Sequence, residues 1–360
     1  MKIIFLLSLI LGFAFSFLLF KQNTGFKNPV INTLSDKEVV ISPKSKVEVK
    51  EKIELTGWFT YYDEERSYMS LPYVLPYLQL FSPALYEVSS TGDLKKITVK
   101  NKSNILNDAR KHELKIFPVV NDGGEKRRLK LLFENEDLRE VFVESLINEA
   151  KLEGFSGFAI DFENLESKDK NDFINLSKLF FEKLHLNNLE FHNILFGREK
   201  NETYDPALAH PYTELGKYAD RIYLMVYNYN NSYTAPGGQT PVEWYKKVLD
   251  YAVESIPKNK IVIGLSTHGY QWQGNKITGL TFPQIKNLID VENARISFDS
   301  TQSAKLAQIG NSKIYYEDWE STIHKIGIAC NEFGLAKFAL WRIGAEDPRI
   351  WSSLGTCPTP

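Results

Sequence analysis

Ser156-Gly157-Phe158-Ala159-Ile160-Asp161-Phe162-Glu163-Asn164 is the stretch whose reading decides the fold. Side chains alternate along a strand, so Ala159, Asp161 and Glu163 share one face while Phe158, Ile160 and Phe162 share the other. In a barrel the bulky face packs against surrounding helices, and the two acids point inward at the strand's end. Two residues apart, Asp161 and Glu163 have Cα atoms about 6.5 to 7 Å apart. One charge then raises the other's pKa and makes a general acid available near neutrality. The plainer reading has Asp161 capping the following loop and Glu163 solvated. Two acids alone do not separate the readings, but the apolar run before them and their place at a strand's carboxyl end favour function.

Working outward, short apolar runs alternate with stretches at helical spacing, as expected when crossover helices join parallel strands. Eight strand candidates follow: 54–61, 77–83, 114–120, 157–162, 190–196, 221–227, 260–266 and 337–341. Helical candidates fall at 71–75, 103–111, 137–151, 168–184, 206–219, 241–255 and 319–333. Eight β/α units predict an α/β fold of the (β/α)8 TIM-barrel type. The competing doubly wound sheet needs a glycine-rich turn after its first strand, and GWFTYYDEE at 57–65 has none. Between the seventh and eighth strands lie roughly 50 residues more than a βα loop needs. With β-like pieces at 294–299, 305–309 and 313–316, they predict a small α+β insertion over about 270–318, at the active face.

The N-terminal run IIFLLSLILGFAFSFLLF, 3–20, is uncharged and at about 1.5 Å per residue nearly crosses a bilayer core. Residues 1–20 are expected to be a signal peptide or a membrane anchor. Ala14 and Ser16 suit cleavage and the continuing run through Phe20 suits an anchor, so both stay open. The polar, Pro-containing stretch 21–48 reads as a linker, with the barrel over 49–360. The bulk of the chain is expected outside the cytoplasm, secreted or anchored, with membrane contact only through residues 1–20. There Cys330 and Cys357 either form a bridge, for which the chain-entropy model gives about 3 kcal/mol, or stay thiols.

The chain has 360 residues, of which 43% are hydrophobic and 24% charged, which excludes disorder. Forty-three basic and 45 acidic residues give a net charge of −2, so no global field draws it onto nucleic acid. Eighteen Tyr, 23 Phe and 6 Trp serve either as core or as flat surfaces for the apolar faces of sugars and bases. Two cysteines and six histidines without an HExxH pair signal no metal, and no cofactor is expected. Gly264-Leu265-Ser266-Thr267-His268 fails as a nucleophile elbow because the turn needs Gly at 268. Neither GxGxxG nor GxxxxGK occurs to suggest nucleotide binding.

SGFAIDFE resembles the DGxDxDxE signature of family 18 glycoside hydrolases, the chitinase-like enzymes. It is most similar to the peptidoglycan-directed, spore-cortex-lytic subgroup, whose signature often ends Asp-Phe-Glu-Asn. Three further stretches agree in order: ADRIYLMVYN at 219–228, IPKNKIVIGLSTHGYQW at 256–272 and FALWR at 338–342. The similarity spans roughly Ile53 to Trp351. It implies that Glu163 is the general acid and later base, and that Asp161 orients a 2-acetamido group whose carbonyl oxygen attacks the anomeric carbon. It further implies that Tyr227 donates to that oxygen and that Trp341 stacks under the sugar, with Met225, Asn228 and Trp58 as substrate contacts. Tyr61, Tyr229 and Trp272 are weaker stacking candidates. The implied activity is hydrolysis of β-1,4 bonds next to N-acetylglucosamine in peptidoglycan or a chitin-like polymer, by a monomer.

Three positions depart from the family pattern. Ala159 stands where an Asp lies beneath the catalytic pair, Ser156 replaces the leading Asp, and Asn228 replaces an Asp. Without the lower Asp, Asp161 is expected to be freer to stay ionised. Ala159 and Asn228 also keep a second class open, a carbohydrate-binding barrel without activity, against which retained Glu163 argues.

Overall fold

The computed structural model describes residues 51–358; the expected leader at 1–20 and linker at 21–48 lie outside the described residues. Eight parallel strands, Glu54–Phe59, Leu80–Val88, Val119–Asn121, Gly157–Asp161, Glu190–Phe196, Arg221–Met225, Ile261–Ser266 and Lys337–Trp341, pair in sequence order. The first closes the ring, pairing Leu55 with Phe338 on one side and Gly57 with Phe81 on the other. This is the (β/α)8 barrel that the periodicity predicts. Alternation on the fourth strand sorts its residues as expected: Phe158, Ile160 and Phe162 join the layer between strands and helices. Ala159 faces the interior with Trp58, Tyr223, Met225 and Ala339. Each aromatic or branched side chain buried in the outer layer stabilises by about 1.5–3 kcal/mol.

The helix before this strand, Glu136–Glu153, begins where the Asn135 side chain accepts from Leu138 N at 3.0 Å. It stops at Gly154 in the left-handed conformation, which turns the chain into the fourth strand. Gly157 opens that strand at φ 155°, where a Cβ would meet the Glu190 carbonyl oxygen at 1.9 Å. Only glycine lets the fourth and fifth strands approach so closely.

Several expected elements differ. The second strand begins at Leu80, not at 77, because Leu75–Tyr77 forms a 3-10 turn around Pro76. The third is broken into Lys115–Ile116 and Val119–Asn121 at Pro118, which has no ladder N–H. The helix expected over 206–219 is two single turns, Asp205–Leu208 and Tyr212–Leu215, separated at Pro211. Helix Lys126–Glu134 has no counterpart among the expected elements, and Phe282–Glu292 lies within the range of the expected α+β insertion.

Between the seventh and eighth barrel strands the chain builds a second sheet of five antiparallel strands within 268–316. Ile285 and Ile289 of helix Phe282–Glu292 pack on Ala307 and Ile314 of that sheet. Cys330 and Cys357 are bonded, so of the two readings left open for them the bridge is the one formed. Among the described residues no helix is long and apolar enough to cross a membrane.

Gly157→Ala should lower the unfolding free energy by about 2 kcal/mol or more, since the obstacle is backbone and cannot rotate away. Urea denaturation measures this, and an unchanged midpoint would show that the strand spacing is not as tight as described.

Candidate active site

Glu163 lies two residues beyond the end of the fourth strand, so its position depends on what holds the turn. The peptide joining Phe162 to Glu163 is gripped from both sides. Its N–H donates to Asp122 Oδ2 at 2.8 Å, and its carbonyl accepts from His210 Nε2 at 3.1 Å. His210 Nδ1 accepts from Phe196 N at 3.0 Å, which places the ring hydrogen on Nε2. Burial, helped by the Arg198 charge, pushes the His210 pKa down to about 4, so the ring serves as a neutral brace. Asp122 also accepts from Asn164 N at 2.6 Å, Asn164 Nδ2 at 2.9 Å and Gly124 N at 2.9 Å. Four N–H donors thus converge on one buried carboxyl.

Glu163 is exposed as a residue, while protein atoms crowd its carboxyl. That burial first, and the Asp122 charge second, raise its pKa to about 7. Asp161, half-buried below it, is pushed well above the usual carboxylate range by burial, then by Glu163, then by Asp122. The two acids titrate as a pair. This corrects the expectation that losing the acid at Ala159 leaves Asp161 freer to ionise: Asp122, from the neighbouring third strand, brings another carboxylate to the pair. Asp161 Oδ1 is buried and has no hydrogen-bond partner among the described residues.

Tyr227 stands just past the sixth strand, and the charges of Glu163 and Asp161 both bear on its hydroxyl. Burial first, then those charges, hold its pKa well above the ordinary value, so the hydroxyl stays a donor. Trp341 ends the eighth strand and, like Tyr227, packs half-buried on the interior cluster. Thr267 pins the next residue, its Oγ1 accepting from Arg342 N at 2.8 Å and donating to Arg342 O at 3.0 Å. Glu163, Asp161, Tyr227 and Trp341 thus all stand at the carboxyl ends of barrel strands. A proton donor, an unpartnered acceptor and a hydroxyl donor stand together there, which suits acid-assisted bond cleavage.

Other candidates take different places. Trp58 is 1% exposed inside the barrel, with ring centroids 5.9 Å from Trp341 and 5.5 Å from Tyr223. It supports Trp341 and cannot stack on a ligand, which corrects its expected role as a substrate contact. Gly264 makes room for it, since a Cβ there would lie 3.0 Å from the indole. Met225 is almost wholly buried in the same cluster. Asn228 is exposed at the rim, in the left-handed conformation, its Oδ1 accepting from the Tyr270 hydroxyl at 3.1 Å. Of the weaker candidates, Trp272 is a packing residue whose Nε1 donates to Thr234 O at 2.9 Å. Tyr61 and Tyr229 remain exposed. Sequence reasoning missed Asp122 and His210. The signals were an acid before Gly123-Gly124, both at positive φ, directly after an apolar strand, and a histidine before the helix-breaking Pro211.

Asp122→Asn removes a negative charge that favours protonated Glu163, so the Glu163 pKa should fall. In the pH dependence of kcat/KM, the limb on which activity declines with rising pH should move down by about one unit. A general loss of rate with that limb unmoved would assign Asp122 to holding the turn alone.

Comparison with known proteins identifies the family and the fold. The family model described as "Glycosyl hydrolases family 18" matches residues 56–346. An "Uncharacterized glycosylase YvbX" of Bacillus subtilis is 23% identical over 336 residues, covering 88% of this chain and 94% of that protein. Among solved structures, a chitinase from Chromobacterium violaceum superposes with a TM-score of 0.77 at 20% identity, covering 84% of this chain and 98% of that one. The spore cortex-lytic enzyme SleL of Bacillus megaterium gives a TM-score of 0.75 at 21% identity, covering 85% and 74%. With four fifths of its length matched by the family model and the barrel closed around the acids, the chain belongs to glycosyl hydrolase family 18.

Proposed function

We propose that the protein hydrolyses β-1,4 bonds next to N-acetylglucosamine in peptidoglycan or a chitin-like polymer, by retaining, substrate-assisted catalysis. The observation that carries this reading is the unpartnered, buried Asp161 Oδ1 beside a Glu163 carboxyl with a pKa near 7. An acetamido N–H is the partner that Oδ1 lacks. Its approach favours charged Asp161 and so leaves the pair's shared proton on Glu163. Glu163 then protonates the glycosidic oxygen as the bond to the anomeric carbon breaks.

The acetamido carbonyl oxygen, held by the Tyr227 hydroxyl, attacks that carbon from the opposite face, so the substrate supplies the nucleophile and no second catalytic carboxylate is needed. Water attacking the resulting ring intermediate gives its proton to Glu163, which restores the starting state. Trp341 supports the sugar ring from below. Because the acid must be protonated, activity should decline as pH rises through about 7. The uncharged run at 3–20 and the bridged cysteines support action outside the cytoplasm, next to the wall polymer.

Glu163→Gln keeps the shape and removes the titrating group. Release of reducing ends from N-acetylglucosamine oligomers or muropeptides should fall by about a thousandfold or more while binding stays near that of the parent. Equal hydrolysis by parent and variant would refute the assignment. Incubating the parent with peptidoglycan and chitin side by side identifies the polymer.

A further inference from the structure

We propose that Arg342 binds a carboxylate carried by the glycan, so that the site selects anionic N-acetylated strands, of the peptidoglycan kind, over neutral chitin-like ones. This deepens the reading above by naming the substrate class. The first support is place. Arg342 directly follows the sugar-platform candidate Trp341, its backbone is fixed by Thr267, and its guanidinium lies 5.1 Å from the centroid of the Tyr62 ring. Tyr62 in turn belongs to the mouth, since its hydroxyl bears on that of Tyr227.

The second support is charge. Arg342 Nη2 donates to Asp63 Oδ2 at 2.7 Å, and the same oxygen lies 3.7 Å from Arg66 Nη1. Among the described ion pairs, Asp63 is the acid shared by both arginines, so Arg342 does not have a carboxylate to itself.

The third support is an unmet donor. Arg342 Nη1 is buried and has no acceptor among the described residues, although the side chain keeps 12% of its surface exposed. Tyr62, whose ring lies over the guanidinium, is 59% exposed, so the cover on this donor is a surface side chain. A guanidinium N–H left unpaired out of water is costly, and a carboxylate satisfies it with both charge and planar geometry. A neutral sugar hydroxyl would supply only a weak acceptor. An ether-linked lactate, as on muramic acid, is a carboxylate of the required kind.

Calorimetric binding in the Glu163→Gln background tests this without depending on turnover. The ligands are an N-acetylglucosamine tetramer, a peptidoglycan-derived tetrasaccharide with free lactyl carboxylates, and the same tetrasaccharide with those carboxylates amidated. The free acid should bind at least tenfold tighter than its amide. Adding Arg342→Gln should bring that ratio close to one, whereas adding Asp63→Asn, which frees the guanidinium, should keep or increase it. Equal binding of acid and amide, a ratio unmoved by Arg342→Gln, or equal weakening of all three ligands by both added substitutions would overturn the proposal. Should Arg342→Gln not fold, the acid-to-amide ratio and its response to Asp63→Asn decide alone. Turnover separates the two readings. A parent that binds with the expected ratio but hydrolyses none of the three ligands refutes the hydrolase assignment and leaves the role of Arg342 standing.

Discussion

The grip on the Phe162–Glu163 peptide is the constraint on which the site depends. A strand end has free backbone groups on both sides, and left to water they would let the next residue wander. Here the N–H is taken by Asp122 from the third strand and the carbonyl by His210, which is itself bonded to Phe196 at the end of the fifth. The turn that carries the acid is therefore tied to the strand on each side. Two buried groups from outside the fourth strand convert a flexible position into a fixed one, and fixed geometry is what acid catalysis requires.

The same contact sets the electrostatics. Asp122 brings its carboxylate to the turn because the turn's N–H groups call for an acceptor, and that charge then acts on Glu163 and Asp161. Position and proton affinity are thus coupled through one side chain. Ala159, which leaves the interior below Asp161 apolar, is compatible with this arrangement because the added charge comes from the side instead. Beyond Trp341 the Arg342 guanidinium pairs with Asp63, whose same carboxylate oxygen lies 3.7 Å from Arg66.

What the sequence revealed follows from the range of the interactions involved. Phe158, Ile160 and Phe162 against Ala159 and Asp161 is a local pattern of period two, and it reported the faces of the fourth strand correctly. Resemblance then singled out Tyr227, on whose hydroxyl both acids bear, and Trp341, which packs on the same interior cluster as Tyr227. Trp58 was misplaced because an aromatic at a strand end reads the same whether it lines the mouth or fills the barrel beneath, and the deciding residue, Gly264, lies over 200 positions away. Asp122 and His210 went unseen for a similar reason, since their partners are backbone groups about 40 to 50 residues distant and leave no mark on local periodicity. Prolines 118 and 211 broke elements whose apolar spacing alone read as continuous.

The most direct test of the central claim is the titration of Glu163 itself, followed by carbon-13 NMR of its side-chain carboxyl in the intact protein. The account predicts a midpoint near 7, with the Asp161 resonance responding in the same transition. A Glu163 midpoint in the ordinary glutamate range, near 4.3, would mean that the group is charged at neutral pH, and the account of it as proton donor would be wrong.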